Sequence, residues 1–362
     1  MIYFVLLTII SVLTYLGTDF SSKPKFCGNI FIAGLIAVFM VLLAGLRDGI
    51  WTDWEGYSYC FYNLDKIDSD MEIGYLTWNR IVYNISHSFN FYLLLSYTIL
   101  VLLFSISMFC ISRAYYLFSL LIFYTVYLLP SGGFRLFIAE MLVLCALVCL
   151  VKKRYFYYFG LVVLAGFFHR TAFICIFFPL IVRQNVNFKI FVFLFCGGLI
   201  LKSFGLFDAI SNALLSGIMP EEFSSVSYRL NYYNNDDEVS LFNVTLLRRV
   251  CQCLLFVAIF LYSKKNIENS DNKLNIYRKF INIYMWGILV KIILPGTFAR
   301  ITAYFVVTEC AIIPLSIELL ANSIYKRRLS MVFYVILMLS FVHKLLTFHP
   351  ELFIPYKNII LS

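Results

Sequence analysis

The chain reads as an all-α polytopic membrane protein of about 12 transmembrane helices (roughly 10–14) forming one integral membrane domain. Three observations predict this. First, 62% of the residues are hydrophobic and only 14% are charged, with a mean hydropathy of +0.85. Soluble domains are about 45–50% apolar and about a quarter charged. Second, apolar runs recur along the whole length. Third, the basic residues fall in short clusters between those runs: Lys23/Lys25, Lys152-Lys153-Arg154, Lys264-Lys265 with Arg278-Lys279, and Lys326-Arg327-Arg328. Positive-inside topology produces that pattern, so the net charge of +9 is accounted for without a nucleic-acid partner. The aromatic share of 19%, mostly Phe and Tyr, suits lipid-facing surface and membrane–water interfaces.

In chain order, the first apolar stretch, Met1 to Leu16, has no basic n-region and no clear cleavage site, so it is expected to be a retained first span. Spans are predicted near 2–17, 27–46, 89–112, 114–130, 136–151, 155–168, 171–183, 189–207, 246–262, 280–296, 301–321 and 329–348. The pair 155–168 and 171–183 is short for a bilayer crossing, with His169-Arg170 between the two runs. The loop 47–88 carries seven acids against three basics, and the loop 208–245 is also acid-rich. Both are therefore expected outside, and the lysine clusters inside. These assignments agree only if 155–183 crosses twice or dips in and returns. That places His169-Arg170 at the outer face, or at the tip of a re-entrant hairpin, and both termini outside. Of the ten cysteines, nearly all lie in apolar runs and Cys60 stands alone in a loop, so buried thiols are expected rather than a disulfide framework.

The densest polar stretch is Ala44-Gly45-Leu46-Arg47-Asp48-Gly49-Ile50-Trp51-Thr52-Asp53-Trp54-Glu55-Gly56-Tyr57, where the second run meets water. Charge mixed with glycine and aromatics there reads as a polar site against the membrane surface. Arg135 follows Pro130-Ser-Gly-Gly-Phe and opens the next span. An arginine at a helix N-terminus favours anion binding, although an interfacial arginine can also simply snorkel to headgroups. Glu140, inside the same span, is a candidate counter-ion. His169 is a proton carrier beside Arg170, a phosphate-clamping residue type; a plain interfacial turn is the structural alternative. Arg248-Arg249 opens the run after the second loop. The pair reads either as a headgroup contact or as a diphosphate clamp, because arginine grips phosphate bidentately. Arg300 and Tyr304 are i,i+4 and share a helix face. Deeper in that span lies Glu309, with Lys291 as a candidate ion-pair partner.

Arg47, Arg135, Arg170, Arg248, Arg249 and Arg300 all map to the outer boundary, against the usual bias. Ionisable residues at membrane depth are costly and by default suggest function. Six arginines on one side suit a polyanion presented from the outer leaflet, such as a lipid-linked diphosphate. Asp53, Glu55 and Glu72, with Trp51, Trp54 and Tyr57, suit a sugar, because carboxylates accept hydroxyl hydrogen bonds and aromatic faces stack on sugar C–H faces. The sequence shows no P-loop, GxSxG or HExxH signature.

Leu-Ala-Gly-Leu-Arg47-x-Gly49-x-x-x-Asp53-x-x-x-Tyr57 resembles the first hallmark of the EpsG-like, Wzy-type bacterial polysaccharide polymerases. Met71-Glu72-Ile-Gly74-Tyr75 resembles that family's E-x-G-Y stretch. Gly-Phe-Arg135-Leu-Phe-Ile-Ala139 resembles its R-Q-x-I-A helix start, with Leu136 where glutamine is common. Phe-Phe-His169-Arg170-Thr-Ala172 resembles its F-H-x-S-A motif, with threonine for serine. Arg300-Ile-x-x-Tyr304 and Ile354-Pro355-Tyr356 look like the last features. The resemblance covers most of the chain in the right order, and the ordered set is its specific part.

The resemblance implies a multi-pass glycosyltransferase of the bacterial inner membrane, with loops 47–88 and 208–245 and the active site facing the periplasm. It would polymerise undecaprenyl-diphosphate-linked oligosaccharide repeats into O-antigen or a related exopolysaccharide, with a chain-length regulator protein as a partner. The diphosphate lipid would leave, stabilised by Arg135 and Arg248 or Arg249 with Arg47 and Arg300 in support. His169 would take the acceptor proton, with Asp53 or Glu72 behind it; Tyr57, Arg170 and Tyr304 would contact substrate. No cofactor or metal is expected, since a diphosphate is already a good leaving group. The rivals are a flippase or transporter of lipid-linked oligosaccharide, an O-antigen ligase and a membrane acyltransferase. A transporter should show inward- and outward-facing charge and repeat symmetry, whereas here the charges gather on one side. A ligase usually places its large loop near the C-terminal third, and an acyltransferase needs a buried Asn/His pair.

Overall fold

Every regular element of the computed structural model is helical among the residues it describes, which are 2–20, 29–50, 53–65, 71–128, 133–184, 188–205, 244–266, 272–293, 299–320, 322–347 and 356–357. Trp51, the Pro130-Ser-Gly break, most of the loop 208–245 and the Ile354-Pro355 pair lie outside them. Each predicted apolar run coincides with helix. Among the described residues, five helices are long and apolar enough to cross a membrane: Phe89–Ile111, Phe134–Val151, Thr245–Asn266, Arg300–Glu318 and Ser323–Thr347. Shorter apolar helices occur at Ile2–Gly17, Ile30–Gly45, Tyr116–Leu128 and Tyr155–Phe168.

The chain divides into two compact units, Met1–Phe173 with Ile313–Ser362, and Ile174–Ile312. The first unit contains α1 (Ile2–Gly17), α2 (Asn29–Gly45), α3 (Trp54–Tyr62), α4 (Ile73–Ile85), α5 (Phe89–Ile111), α6 (Tyr116–Ile122), α7 (Phe134–Val151) and α8 (Tyr155–Phe168). Its centre is α7, apolar on all sides and buried along most of its length; a helix hydrophobic all round belongs in the interior. Helices α5 and α8 pack on α7, α2 packs on α5, and α4 packs on α8. The loop 47–88 is thus not irregular, since it carries the amphipathic helices α3 and α4. Ser88 caps α5 by accepting the backbone N–H of Phe91 at 3.4 Å, as N-cap serines do.

α6 continues into a π-helical turn, Phe123–Leu128. Such turns leave carbonyls without their usual i+4 donor. One of them, on Val126, accepts from Lys344 Nζ at 2.8 Å. The long helix Ser323–Thr347 thereby brings a half-buried cation to this backbone.

After α8 the helix breaks at His169, whose φ −154 and ψ 114 are extended. A 3₁₀ segment, Arg170–Phe177, follows, then α9 (Phe178–Arg183) and α10 (Phe188–Ser203). In the second unit α9, α10 and α11 (Val244–Asn266) pack on α12 (Asn272–Ile293), which also packs on α13 (Ala299–Val306). Asn282 of α12 donates to the Gln184 carbonyl at 2.7 Å, satisfying a group at the end of α9 that has no intrahelical partner. Phe178 meets Phe305 edge-on at 4.7 Å. α14 (Glu309–Glu318) and α15 (Ser323–Thr347) complete the chain's helices among the described residues.

Candidate functional site

The first unit gathers most of the predicted site. Arg135 occupies the first turn of α7, after an extended Gly133. Its guanidinium forms an ion pair with Glu72, with side-chain exposures of 23% and 11%. Glu72 is the extended residue preceding α4, and its carboxylate makes no bond to its own helix. It reaches instead to Arg135, so the carboxylate paired with this arginine comes from α4 and not from Glu140 of its own span. The Arg135 guanidinium also stands 6.0 Å from the centre of the Tyr75 ring and lies against the Tyr57 hydroxyl. Burial pushes the Tyr57 phenol up, partly offset by that guanidinium, so Tyr57 is a neutral hydroxyl at physiological pH. The Arg135 Nε is buried and meets no hydrogen-bond acceptor among the described residues. A buried donor left unmade is costly, and in a site it is a position a ligand oxygen can fill.

Gly74 explains how α4 is placed. A Cβ built on it would stand 2.8 Å from the Phe167 carbonyl oxygen and 2.9 Å from the carbonyl carbon. Only glycine permits this backbone approach between α4 and the end of α8. Glu72 stands two residues before that contact and His169 two residues after it. Glu72, Gly74 and Tyr75 therefore each have a physical role. Glu72 supplies a carboxylate for Arg135, Gly74 allows a close helix contact, and Tyr75 sets a ring beside the guanidinium.

His169 closes α8 and is buried, at 8% exposed. Its Nδ1 shares a 2.6 Å hydrogen bond with the Thr171 hydroxyl. That bond holds one side of the ring, and an imidazole can exchange a proton near neutral pH. A serine hydroxyl at this position would serve equally. Arg170, by contrast, is exposed.

Arg47 lies just past α2 and is 4% exposed. It donates to the Tyr97 hydroxyl, and its guanidinium stands 4.9 Å from that ring's centre. Burial pushes the Arg47 guanidinium down to about 10, with Tyr97 acting against the shift, so it is charged at neutral pH. Asn90 donates to its carbonyl at 3.3 Å. Gly49 holds φ +59, a left-handed turn that glycine adopts without strain. Residues 356–357 reach this corner: Asp48 N–H donates to the Lys357 carbonyl at 3.3 Å, and Tyr356 donates to the Leu43 carbonyl at 2.9 Å. Phe134 joins the two arginine corners, with its ring 5.5 Å from Tyr97 and 6.2 Å from Tyr57. Asp53 is exposed at the start of α3, and its charge acts on Tyr57.

The second unit holds a separate cluster. Arg248 Nη2 stands 3.7 Å from Glu309 Oε1, and Glu309 is only 1% exposed. The Tyr284 hydroxyl donates to Gln252 Oε1 at 3.2 Å. The Gln252 amide nitrogen and the Arg249 Nε are buried with no acceptor among the described residues. Arg300 is exposed and Tyr304 fully buried on α13.

Sequence reasoning missed Tyr97, Phe134 and Gln252. Gln252 was within reach, since it follows Arg248 by four residues and shares its helix face. Tyr97 carried a weaker signal, a tyrosine deep in a run where the interface is the usual place.

These features define a helical membrane protein that keeps an arginine–carboxylate pair at the start of α7 and a buried histidine at the end of α8. The chain belongs to the EpsG family, whose model matches residues 30–358, nearly the whole length. No curated protein and no solved structure matches it.

Proposed function

We propose that the protein is a membrane glycosyltransferase that polymerises undecaprenyl-diphosphate-linked oligosaccharide repeats on the periplasmic face of the inner membrane. Membership of the EpsG family supports a polysaccharide polymerase. The observation that carries the reading is Arg135: a helix N-terminus, a guanidinium with an unused Nε, and one carboxylate partner at its side. A helix N-terminus and a guanidinium both favour the charge that grows on a departing diphosphate.

In this reading a hydroxyl of one lipid-linked repeat attacks the anomeric carbon of the chain held on a second carrier. A glycosidic C–O bond forms, and the bond from C1 to the phosphate oxygen breaks with its electron pair on the diphosphate. His169 accepts the hydroxyl proton, with its ring held by Thr171 at Nδ1. Glu72 is engaged by Arg135, so it serves as that arginine's positioning residue, and Asp53 is left as a sugar contact. Tyr57 offers a neutral hydroxyl for hydrogen bonding. Arg47 supports the same corner through Phe134. In the second unit Arg248 and Arg249 are read as a further phosphate contact, with Gln252 supplying an amide donor and Arg300 and Tyr304 in support; Arg170 is read as a contact at the surface.

Deletion of the gene, followed by an electrophoretic profile of surface polysaccharide, tests this. A polymerase defect leaves acceptors capped with one repeat unit, whereas a flippase or ligase defect leaves none. Arg135→Ala or His169→Ala, at normal protein level, should reproduce the one-repeat profile. Normal long-chain polymer in either variant would sink that residue's role.

A further inference from the structure

A cavity of about 270 Å³ lies inside the first unit, between α4, α5, α7 and α8. Its walls include Trp78, Ile99, Leu103, Ile138, Leu142 and Phe168. The polar groups of its lining satisfy each other, because Trp78 Nε1 donates to Ser96 Oγ at 2.9 Å. What the cavity presents is therefore hydrocarbon. At about 30 Å³ per liquid water molecule it has room for roughly nine heavy atoms, the size of a short branched chain.

Its position is what assigns an occupant. Ile138 and Leu142 follow Arg135 by three and seven residues, and so share its face of α7. At about 1.5 Å per residue, the cavity wall begins about 4.5 Å below Arg135 along the helix. Phe168 is the residue before His169. Ile99 and Leu164 of the lining are 37% and 42% exposed, in segments apolar enough to face lipid. The cavity is thus open at one side, beside apolar segments, and its wall on α7 starts one helical turn from Arg135.

We infer that this cavity lodges the first isoprene units of the lipid carrier, the units next to the diphosphate. The inference rests on the polymerase reading above and adds a residue-level subsite to it. An apolar pocket one helical turn below a guanidinium matches an amphiphile whose phosphates join directly to a branched hydrocarbon. A phospholipid acyl chain is separated from its phosphate by the glycerol ester, so it fits that spacing less well.

The test uses the full chain in nanodiscs with a geranylgeranyl diphosphate that carries a photoreactive diazirine in its first isoprene units. Label is expected on the peptides containing Trp78, Ile99, Leu103, Ile138 or Leu142. Excess inorganic pyrophosphate should displace it. Leu142→Trp, which fills the cavity, should lower labelling at least tenfold. Should that variant fail to fold, Ile99→Trp at the cavity mouth gives the same readout. Label placed elsewhere, label that pyrophosphate does not displace, or equal labelling by a phosphatidylglycerol carrying the diazirine in its acyl chain overturns the inference. The polymerase reading survives those three results. It falls with the inference only if the protein retains no isoprenyl diphosphate at all and the gene deletion leaves polymer length unchanged.

Discussion

Replacing Gly74 by alanine probes the site without touching any of its charged groups. The added Cβ meets the Phe167 carbonyl at 2.8 Å, about 0.6 Å inside ordinary contact in a close-packed interior. The obstacle is backbone, so no side chain can swing aside. α4 must withdraw from α8, and forced repacking of this kind costs about 1–3 kcal/mol. Glu72 moves with α4 and draws on the Arg135 guanidinium, while His169 stays with α8. A misplacement near 1 Å costs a catalytic site about 10²-fold, so a shift of about 0.6 Å should reduce polymerisation on the order of tenfold. The assay is the chain-length distribution of surface polysaccharide, normalised to protein by immunoblot, with thermal denaturation in detergent alongside. Gly160→Ala on α8 is the control. It has no atom within 4 Å of the new Cβ, and exchange of glycine for alanine within a helix should leave stability equal or up to about 1 kcal/mol higher. Wild-type polymer and an unchanged melting temperature in Gly74→Ala would refute the claim that this contact sets the site.

Arg135→Ala should leave the Glu72 carboxylate poorly compensated and cost towards the lower end of about 3–5 kcal/mol, given the residual exposure of both side chains. The double variant Arg135→Ala/Glu72→Ala should recover most of that stability in thermal denaturation yet make no long polymer. Thr171→Ser should preserve polymer length, because the hydroxyl facing His169 Nδ1 is retained. Thr171→Val should shorten it by about tenfold or more, a part of the 10²–10⁴ that proton transfer supplies. Arg248→Ala should lower folded protein recovered from membranes, because Glu309 is buried beside it. Adding Glu309→Gln should restore part of the yield by removing the buried charge, and unchanged yields across the three proteins would count against that pair's structural weight.

Much of this protein is legible in its sequence because the relevant signals are local. Apolar runs of bilayer length, basic clusters between them and arginines at their ends need no partner to be recognised. The ordered Arg47, Glu72, Arg135 and His169 motifs likewise point to the EpsG family without any geometry. The pairing of Arg135 with Glu72, across 63 residues of chain, is not legible. Helices such as α2 and α5 are apolar on every face, so no periodicity says which side meets a neighbour. Tertiary packing alone decided that α4 would lie on α8, that Gly74 would be the contact, and that Thr171 would face His169. The same packing left an apolar cavity under Arg135. The sequence by itself determined the class, the helices and the charged groups that had to be kept near the membrane boundary. Which of those groups meet is a property of helix faces brought together from distant parts of the chain, and only the folded structure holds it.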